Sequence, residues 1–369
     1  MKTKVYFIAV DNSDKPQEVR LKFSRLLEES RVLDFINKGE RVTVKMHFGE
    51  ADNTGFVKPE YARLVCDVIR GRQATPFLAE TNTLYRGRRT NSQEHLKLAY
   101  EHGFTADKVG ADIVITDDTR SENIAEVKVN QRFIKSAKIA KIFLEADALV
   151  GIAHFKGHLM TGFGGALKNI GMGCASREGK LAQHSDVSPI VYKNKCTGCG
   201  LCAEACPVKA ITIQAEKSFI ERLKCIGCAS CIATCPYYAI DVDWEKSGDN
   251  IQEKMVEYAK AVLEGKKNRV AFINFGIKIT KECDCLAKDD PRIVSDVGLF
   301  ASLDPVAIDK ASLDLANKAA GRDVFKEAHP NRDGLKQLRY ACLLGLGNLE
   351  YELVDLSGRQ QAAYLKEVV

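Results

Sequence analysis

Apolar and polar positions along the chain follow two periods in turn, and together they predict an order of strands and helices. Lys4–Val10 is a short apolar run of the kind that forms a buried strand. Between Gln17 and Asn37 the apolar residues Val19, Phe23, Leu26, Leu27, Phe35 and Ile36 fall at helical spacing, which stops near Gly39. Arg41–Phe48 alternates as a strand, Pro59 opens a helix through Ile69, and Thr75–Ala79 returns as a strand. Asn91 and Glu94 form a capping box for a helix ending near Gly103. Asp112–Thr116 and Ala148–Phe155 are further strands, with a helical pattern over Ile134–Glu145 between them. Later come a helix over Asn250–Glu264, a strand over Arg269–Phe275, and a helix from Pro305 to Ala320 with Asp304 as its cap. The tail from Asp333 is mixed. Strands interleaved with helices of this length predict an α/β fold, a parallel or mixed sheet with helices on both faces.

The alternation breaks over residues 190–245, where cysteine takes over. CTGCGLCAEACP begins at Cys196, and CIGCASCIATCP follows with its first cysteine 29 residues later, at Cys225. Each run is C-x-x-C-x-x-C-x-x-x-C-P, in which three cysteines wrap one 4Fe–4S cluster and the fourth reaches its neighbour. The spacing assigns Cys196, Cys199, Cys202 and Cys235 to one cluster, and Cys225, Cys228, Cys231 and Cys206 to the other. Ala210-Ile211 and Ala239-Ile240 keep the same offset and predict matching short strands. Zinc sites use cysteine pairs more often than two four-cysteine runs that each end in proline. The expected organisation is a discontinuous α/β domain over 1–189 and 246–369, with a small inserted α+β ferredoxin-like domain over 190–245. Its entry is Val187–Asn194, and its exit follows Trp244.

Composition narrows the setting. A chain of 369 residues with 45% hydrophobic content suits two or three domains. Thirteen cysteines leave Cys66, Cys174, Cys283, Cys285 and Cys342 beyond the eight of the repeat. The N-terminal apolar run is short and lacks a cleavage site, and no run approaches the ~20 residues of a membrane span. Free thiols beside cluster chemistry predict a reducing cytoplasm. The net charge of +5 is offset by oxidised clusters of about −2 each, and no basic tract predicts nucleic-acid binding.

In such sheets the chemistry collects where strands end. Lys45, His47 and Glu50 follow the second strand. Glu80 and Asn82 follow the third, leading into Arg86, Arg88 and Arg89, a set of guanidiniums able to clamp an anion or simply to line a solvated loop. HFKGH supplies His154, Lys156 and His158. TGFGGALKNIGMGC supplies Lys168, Asn169 and Cys174, its glycines suited to close approach of an anion at a helix N-terminus or to a tight turn. In CDC, Cys283 and Cys285 point the same way along an extended chain, well placed to share a metal, with Cys174 as a third thiolate. The alternative is a pair of inert thiols. Cys66 and Cys342 read as core residues.

ETNTLYRGRRTN, HFKGHLMTGFGGALKNIGMGC, the dicluster run, CDC and LDPVAIDKASLDL together resemble the iron–sulfur-centre proteins built on the domain of unknown function 362. The resemblance covers nearly the whole chain. It implies 4Fe–4S binding, a cytosolic setting of the anaerobic kind, and motif positions at Lys156, His158, Lys168, Asn169, Cys283, Cys285, Asp304 and Asp309. The expected function is a redox protein whose two clusters relay electrons to a site in the α/β domain. There Lys156, His158 and Lys168 would act on a small anionic substrate held by Arg86, Arg88, Arg89 and Asn169. A third metal or cluster at Cys174, Cys283 and Cys285 belongs to that expectation, as does a redox donor or acceptor protein as partner. The alternatives are an electron carrier without a catalytic site, and a redox sensor, which lacks a DNA-binding pattern to support it.

Overall fold

The computed structural model describes residues 2–84, 87–116, 121–184, 189–225, 227–242 and 250–358. Eight strands form the main sheet: β1 Thr3–Ala9, β2 Arg41–Lys45, β3 Thr75–Thr81, β4 Asp112–Thr116, β5 Ala148–His154, β6 Val270–Gly276, β7 Gly298–Ser302 and β8 Tyr351–Asp355. Their order is β8-β1-β7-β6-β5-β2-β3-β4. Only β7 runs against its neighbours; the other adjacent pairs are parallel. The class is therefore the expected one, α/β with a mostly parallel sheet flanked by helices.

Both faces of the sheet are buried, because successive side chains of β6 point to opposite sides. Phe272 joins one core cluster, with Met255 and Val256 of α5 and Val306, Ile308 and Ala311 of α6. Ile273 joins the other, with Phe23 and Leu26 of α1 and Val65 and Ile69 of α2. These helices span Pro16–Ser30 (α1), Pro59–Gly71 (α2), Ser92–Glu101 (α3), Ala166–Gly171 (α4), Ile251–Leu263 (α5) and Pro305–Ala320 (α6). Asn91 caps α3 by accepting from Glu94 N, and Asp304 caps α6 by accepting from Val306 N and Ala307 N.

Four expectations are corrected. The helix from Gln17 ends at Ser30, where Arg31 turns left-handed at φ 55° and directs Val32, Leu33 and Ile36 into the core from a turn. Ile134–Glu145 is not one helix. Ser136–Ala140 is a strand paired antiparallel with Ile124–Lys128, and only Lys141–Glu145 is helical. Ala137 and Ile139 are buried on alternate positions, a period of two that a helical window averages away. The Arg41–Phe48 strand stops at Lys45. The mixed tail contains a helix over Leu335–Leu343 and the edge strand β8, whose partner is the far N-terminal β1.

Within the cysteine-rich segment, Ile190–Val191 pairs antiparallel with Ile240–Asp241, and Ile211–Gln214 with Lys217–Ile220. The segment's first and last strands are thus hydrogen-bonded partners.

Candidate functional site

β2 and β5 lie side by side, yet the chain leaves β2 toward β3 and leaves β5 toward β6. This reversal is where open α/β sheets form a crevice outside their carboxyl ends. A cavity of about 560 Å³ occupies it, lined by residues that end β2, β3 and β5 and by the CDC loop.

Asp284, the middle residue of CDC, lies behind one wall and holds two of the lining residues, His154 and Lys156. His154 Nδ1 donates to both of its carboxylate oxygens (2.8 and 2.9 Å), and Lys156 Nζ lies 3.2 Å away. Burial pushes the carboxyl up, but His154 and Lys156 outweigh it and hold Asp284 well below the usual carboxylate range. Lys156 shows the counterpart: burial draws its ammonium down, and the Asp284 charge more than compensates. On the opposite wall Lys45 pairs with Glu80 Oε1 at 3.0 Å, both buried. Burial raises that carboxyl too, and Lys45 with His47 still keeps it far below its ordinary value. Arg89 Nε donates to Glu50 Oε2 (2.8 Å), Arg89 Nη1 to His47 Nδ1 (3.2 Å), and His47 Nε2 to Asp284 O (3.1 Å). Buried charge is thus met by buried countercharge, as its desolvation demands.

Lys168, on α4, differs. Its side chain lines the cavity and has no hydrogen-bond or ion-pair partner among the described residues. Its neighbours there are Cys283, Cys285 and His158, whose donor atoms all lie within 4.8 Å of one another, close enough to share one metal ion. The two thiols form an unequal pair. Cys285 donates to Cys283, which together with Lys156 and Lys168 holds Cys283 well below the usual thiol range, while the same bond and burial raise Cys285. Burial keeps His158 neutral. Met160 N–H donates to His158 Nδ1 at 3.1 Å, so the neutral ring carries its proton on Nε2. A proton on Nε2 suits hydrogen-bond donation. Coordination through that atom would require the proton to move to Nδ1, where an N–H already points.

The GFGG turn is shaped by a carboxylate from α6. Asp309 Oδ1 accepts from Ala166 N (2.7 Å) and Asn274 Nδ2 (2.7 Å), and Oδ2 accepts from Leu167 N (3.0 Å). A Cβ on Gly165 would stand 2.2 Å from Asp309 Oδ1, so glycine is required by close approach. The anion expected at this helix start is therefore a residue of the chain itself. Two motifs far apart in sequence meet here and fix where Lys168 stands.

The expected site residues divide between the cavity and its surroundings. Lys156, His158, Lys168, Cys283 and Cys285 come together. CDC does so from a turn rather than an extended strand, which brings both sulfurs to one side and directs Asp284 to His154 and Lys156. Cys174 is not in the donor set. It is fully buried in the core beneath, where burial pushes its thiol up to about 12. Asn169 is occupied as a strap, donating to Lys45 O and Ile152 O (3.2 Å each) and accepting from Lys45 Nζ (3.0 Å). Arg88 faces outward and pairs with Glu101, Arg89 forms the wall described above, and Arg86 lies outside the described residues. Asp309 was among the motif positions of the resemblance, with no role attached; Asp284 was missed, and its signal was an acidic residue held between two cysteines.

All thirteen cysteines are free. Eight of them line two small cavities: Cys196, Cys199, Cys202 and Cys235 one, Cys206, Cys225, Cys228 and Cys231 the other. Ala210 N–H donates to Cys206 Sγ (3.2 Å) and Ala239 N–H to Cys235 Sγ (3.3 Å), matching bonds one repeat apart.

Fold and site together define an α/β protein with a charged, thiol-bearing cavity at the switch point of its sheet. The chain belongs to the family described as Domain of unknown function (DUF362), whose model matches residues 42–314. No curated protein matches it in sequence. A crystal structure of a Thermotoga maritima protein resembles 85% of this chain and 61% of that one, at 15% identity and a TM-score of 0.44. The lactate racemase apoprotein from Thermoanaerobacterium thermosaccharolyticum resembles 75% of this chain and 56% of that one, at 17% identity and a TM-score of 0.39. The chain thus spans less than two thirds of either, and neither likeness bears on its reaction. No helix among the described residues is long and apolar enough to cross a membrane.

Proposed function

We propose that the chain is a redox protein that binds two 4Fe–4S clusters and relays electrons between an external redox protein and the α/β cavity, where a small anion reacts. The observation that carries this is the sorting of eight cysteines into two quartets, each made of three from one run and one from the other around its own small cavity. Three thiolates plus a crossed fourth, with backbone N–H groups aimed at sulfur, are what a pair of such clusters needs. The clusters would supply electrons. The chain's own residues bind the anion and hold its proton: Lys168 brings its ammonium to the cavity beside Cys283, Lys156 stands on Asp284, and His158 presents Nε2–H. Cys283 and Cys285 border the same space. With His158 they are the donors available to a third metal ion.

Anaerobic purification should give about eight iron and eight sulfide per chain, with charge-transfer absorption in the visible. Stoichiometric zinc without that absorption would overturn the cluster reading. The anion half is tested separately with oxalate as probe. Lys168→Met should weaken oxalate binding in calorimetry at least ~10-fold, the loss of one charge-assisted contact, about 1.4 kcal/mol. Unchanged oxalate binding, or none in the parent protein, would leave an electron carrier as the better description.

A further inference from the structure

The two quartets are related by the 29-residue repeat, but their surroundings are not equal. Ser218 lines the cavity of Cys196, Cys199, Cys202 and Cys235. The residue 29 positions earlier is Pro189, and it lines the cavity of Cys206, Cys225, Cys228 and Cys231. Ser218 lies within the strand Lys217–Ile220, and Pro189 directly precedes the matching strand Ile190–Val191. The chemistry at these equivalent places is opposite. Ser218 N–H donates to Cys196 Sγ (3.3 Å), and its Oγ lies 3.1 Å from Cys202 Sγ, to which the hydroxyl donates once that sulfur is a thiolate. Proline has no N–H and no hydroxyl. Among the described residues no side-chain hydroxyl is hydrogen-bonded to the second quartet. The first quartet also has an ammonium beside it, since Lys217 Nζ donates to Cys196 O at 2.6 Å.

Reduction adds one negative charge to a cluster and its thiolates. Donors and cations at sulfur favour the reduced form, and so raise the potential. Ala229 lines the second quartet's cavity and packs in an apolar cluster with Leu84 and Leu181. Leu84 in turn lines the large α/β cavity. Cys199 of the first quartet is exposed, while Cys196, Cys202 and Cys235 are buried; in the second, Cys231 is buried and the other three are half-buried, so it is the Ala229–Leu84 packing that sets the second quartet nearer the cavity.

Resting on the two-cluster reading, we propose that Ser218 makes the clusters unequal. The outer one, held by Cys196, Cys199, Cys202 and Cys235, has the higher potential and takes the first electron. The inner one, held by Cys206, Cys225, Cys228 and Cys231, has the lower potential and stands between the first and the cavity. Each cluster accepts one electron, delivered by an external one-electron carrier or by a chemical reductant. An electron arriving from outside therefore rests on the outer cluster and visits the inner one only transiently. The reactive cavity is charged when a second electron arrives.

The test is a potentiometric titration of the full chain, followed by electron paramagnetic resonance. Two one-electron steps are expected, the first belonging to the outer cluster. Ser218→Ala should lower the higher potential and leave the lower one in place, changing the ratio of the two reduction constants about tenfold, or about 59 mV. Ser218→Thr keeps the hydroxyl and should restore the parent value. The reciprocal change, Pro189→Ser, should raise the lower potential, and it carries the test alone if Ser218→Ala fails to assemble its clusters. A Ser218→Ala chain with both potentials unmoved, or with the lower one moved instead, overturns the assignment. Iron and sulfide near eight with a wrong order refutes the order alone, whereas iron well below eight in the parent refutes the two-cluster reading beneath it.

Discussion

Asp284→Ala is expected to destabilise the folded chain by about 3–5 kcal/mol, the cost of leaving one partner of a buried ion pair behind. Asp284 is almost fully buried and receives His154 at 2.8 Å and Lys156 at 3.2 Å. Removing it strands the Lys156 ammonium in a region that no longer neutralises it. The midpoint of urea unfolding reads the loss, and added formate should recover part of it by occupying the vacated space. A loss below about 1 kcal/mol would mean that Lys156 finds another partner. The pH dependence follows with a definite sign. Asp284 and Glu80 both have folded values depressed below their ordinary 3.8 and 4.5. Their stabilisation is therefore complete above those values and is lost as pH falls below them. The parent protein should lose stability as pH drops below about 4, and Asp284→Ala should flatten that slope.

Cys206→Ser should remove about four of the eight irons and leave the other cluster's spectrum intact. Cys206 follows three cysteines of its own run by only a few residues, so a local reading would have it damage that set. It shares its cavity instead with Cys225, Cys228 and Cys231. Selective loss of the cluster at Cys196, Cys199 and Cys202 would show that the quartets do not cross. Iron content together with resonance spectra of the two variants Cys206→Ser and Cys235→Ser separates the cases.

The strands from Lys4–Val10 to Arg269–Phe275 were readable because each is a short run dominated by apolar and β-branched residues. β7 and β8 were not. GLFAS is only five residues long and opens on glycine, and β8 is an edge strand with exposed Glu352, whose identity comes from its distant partner β1. The site shows the same division. HFKGH, TGFGGALKN and CDC announced themselves by residue type, and they do meet. What sequence could not supply is which side chains already have partners. Asn169 reads as a ligand-binding amide until Lys45 is seen to use it, and Arg88 reads as part of a clamp until Glu101 is seen beside it. Cys174 was misplaced for a related reason. It follows Ala166, Leu167 and Ile170, the apolar residues of its motif, into the core, whereas Lys168 of the same motif faces the cavity.

The pairing of Ile190–Val191 with Ile240–Asp241 has a consequence for ancestry. A segment whose two ends hydrogen-bond to each other begins and ends at one point in space. Its gain or loss by a single recombination would leave the path from β5 to β6 almost undisturbed, because no strand of the large sheet would have to move to close the gap. An exchange of that kind would separate the history of the cavity at the ends of β2 and β5 from that of the cysteine-rich segment.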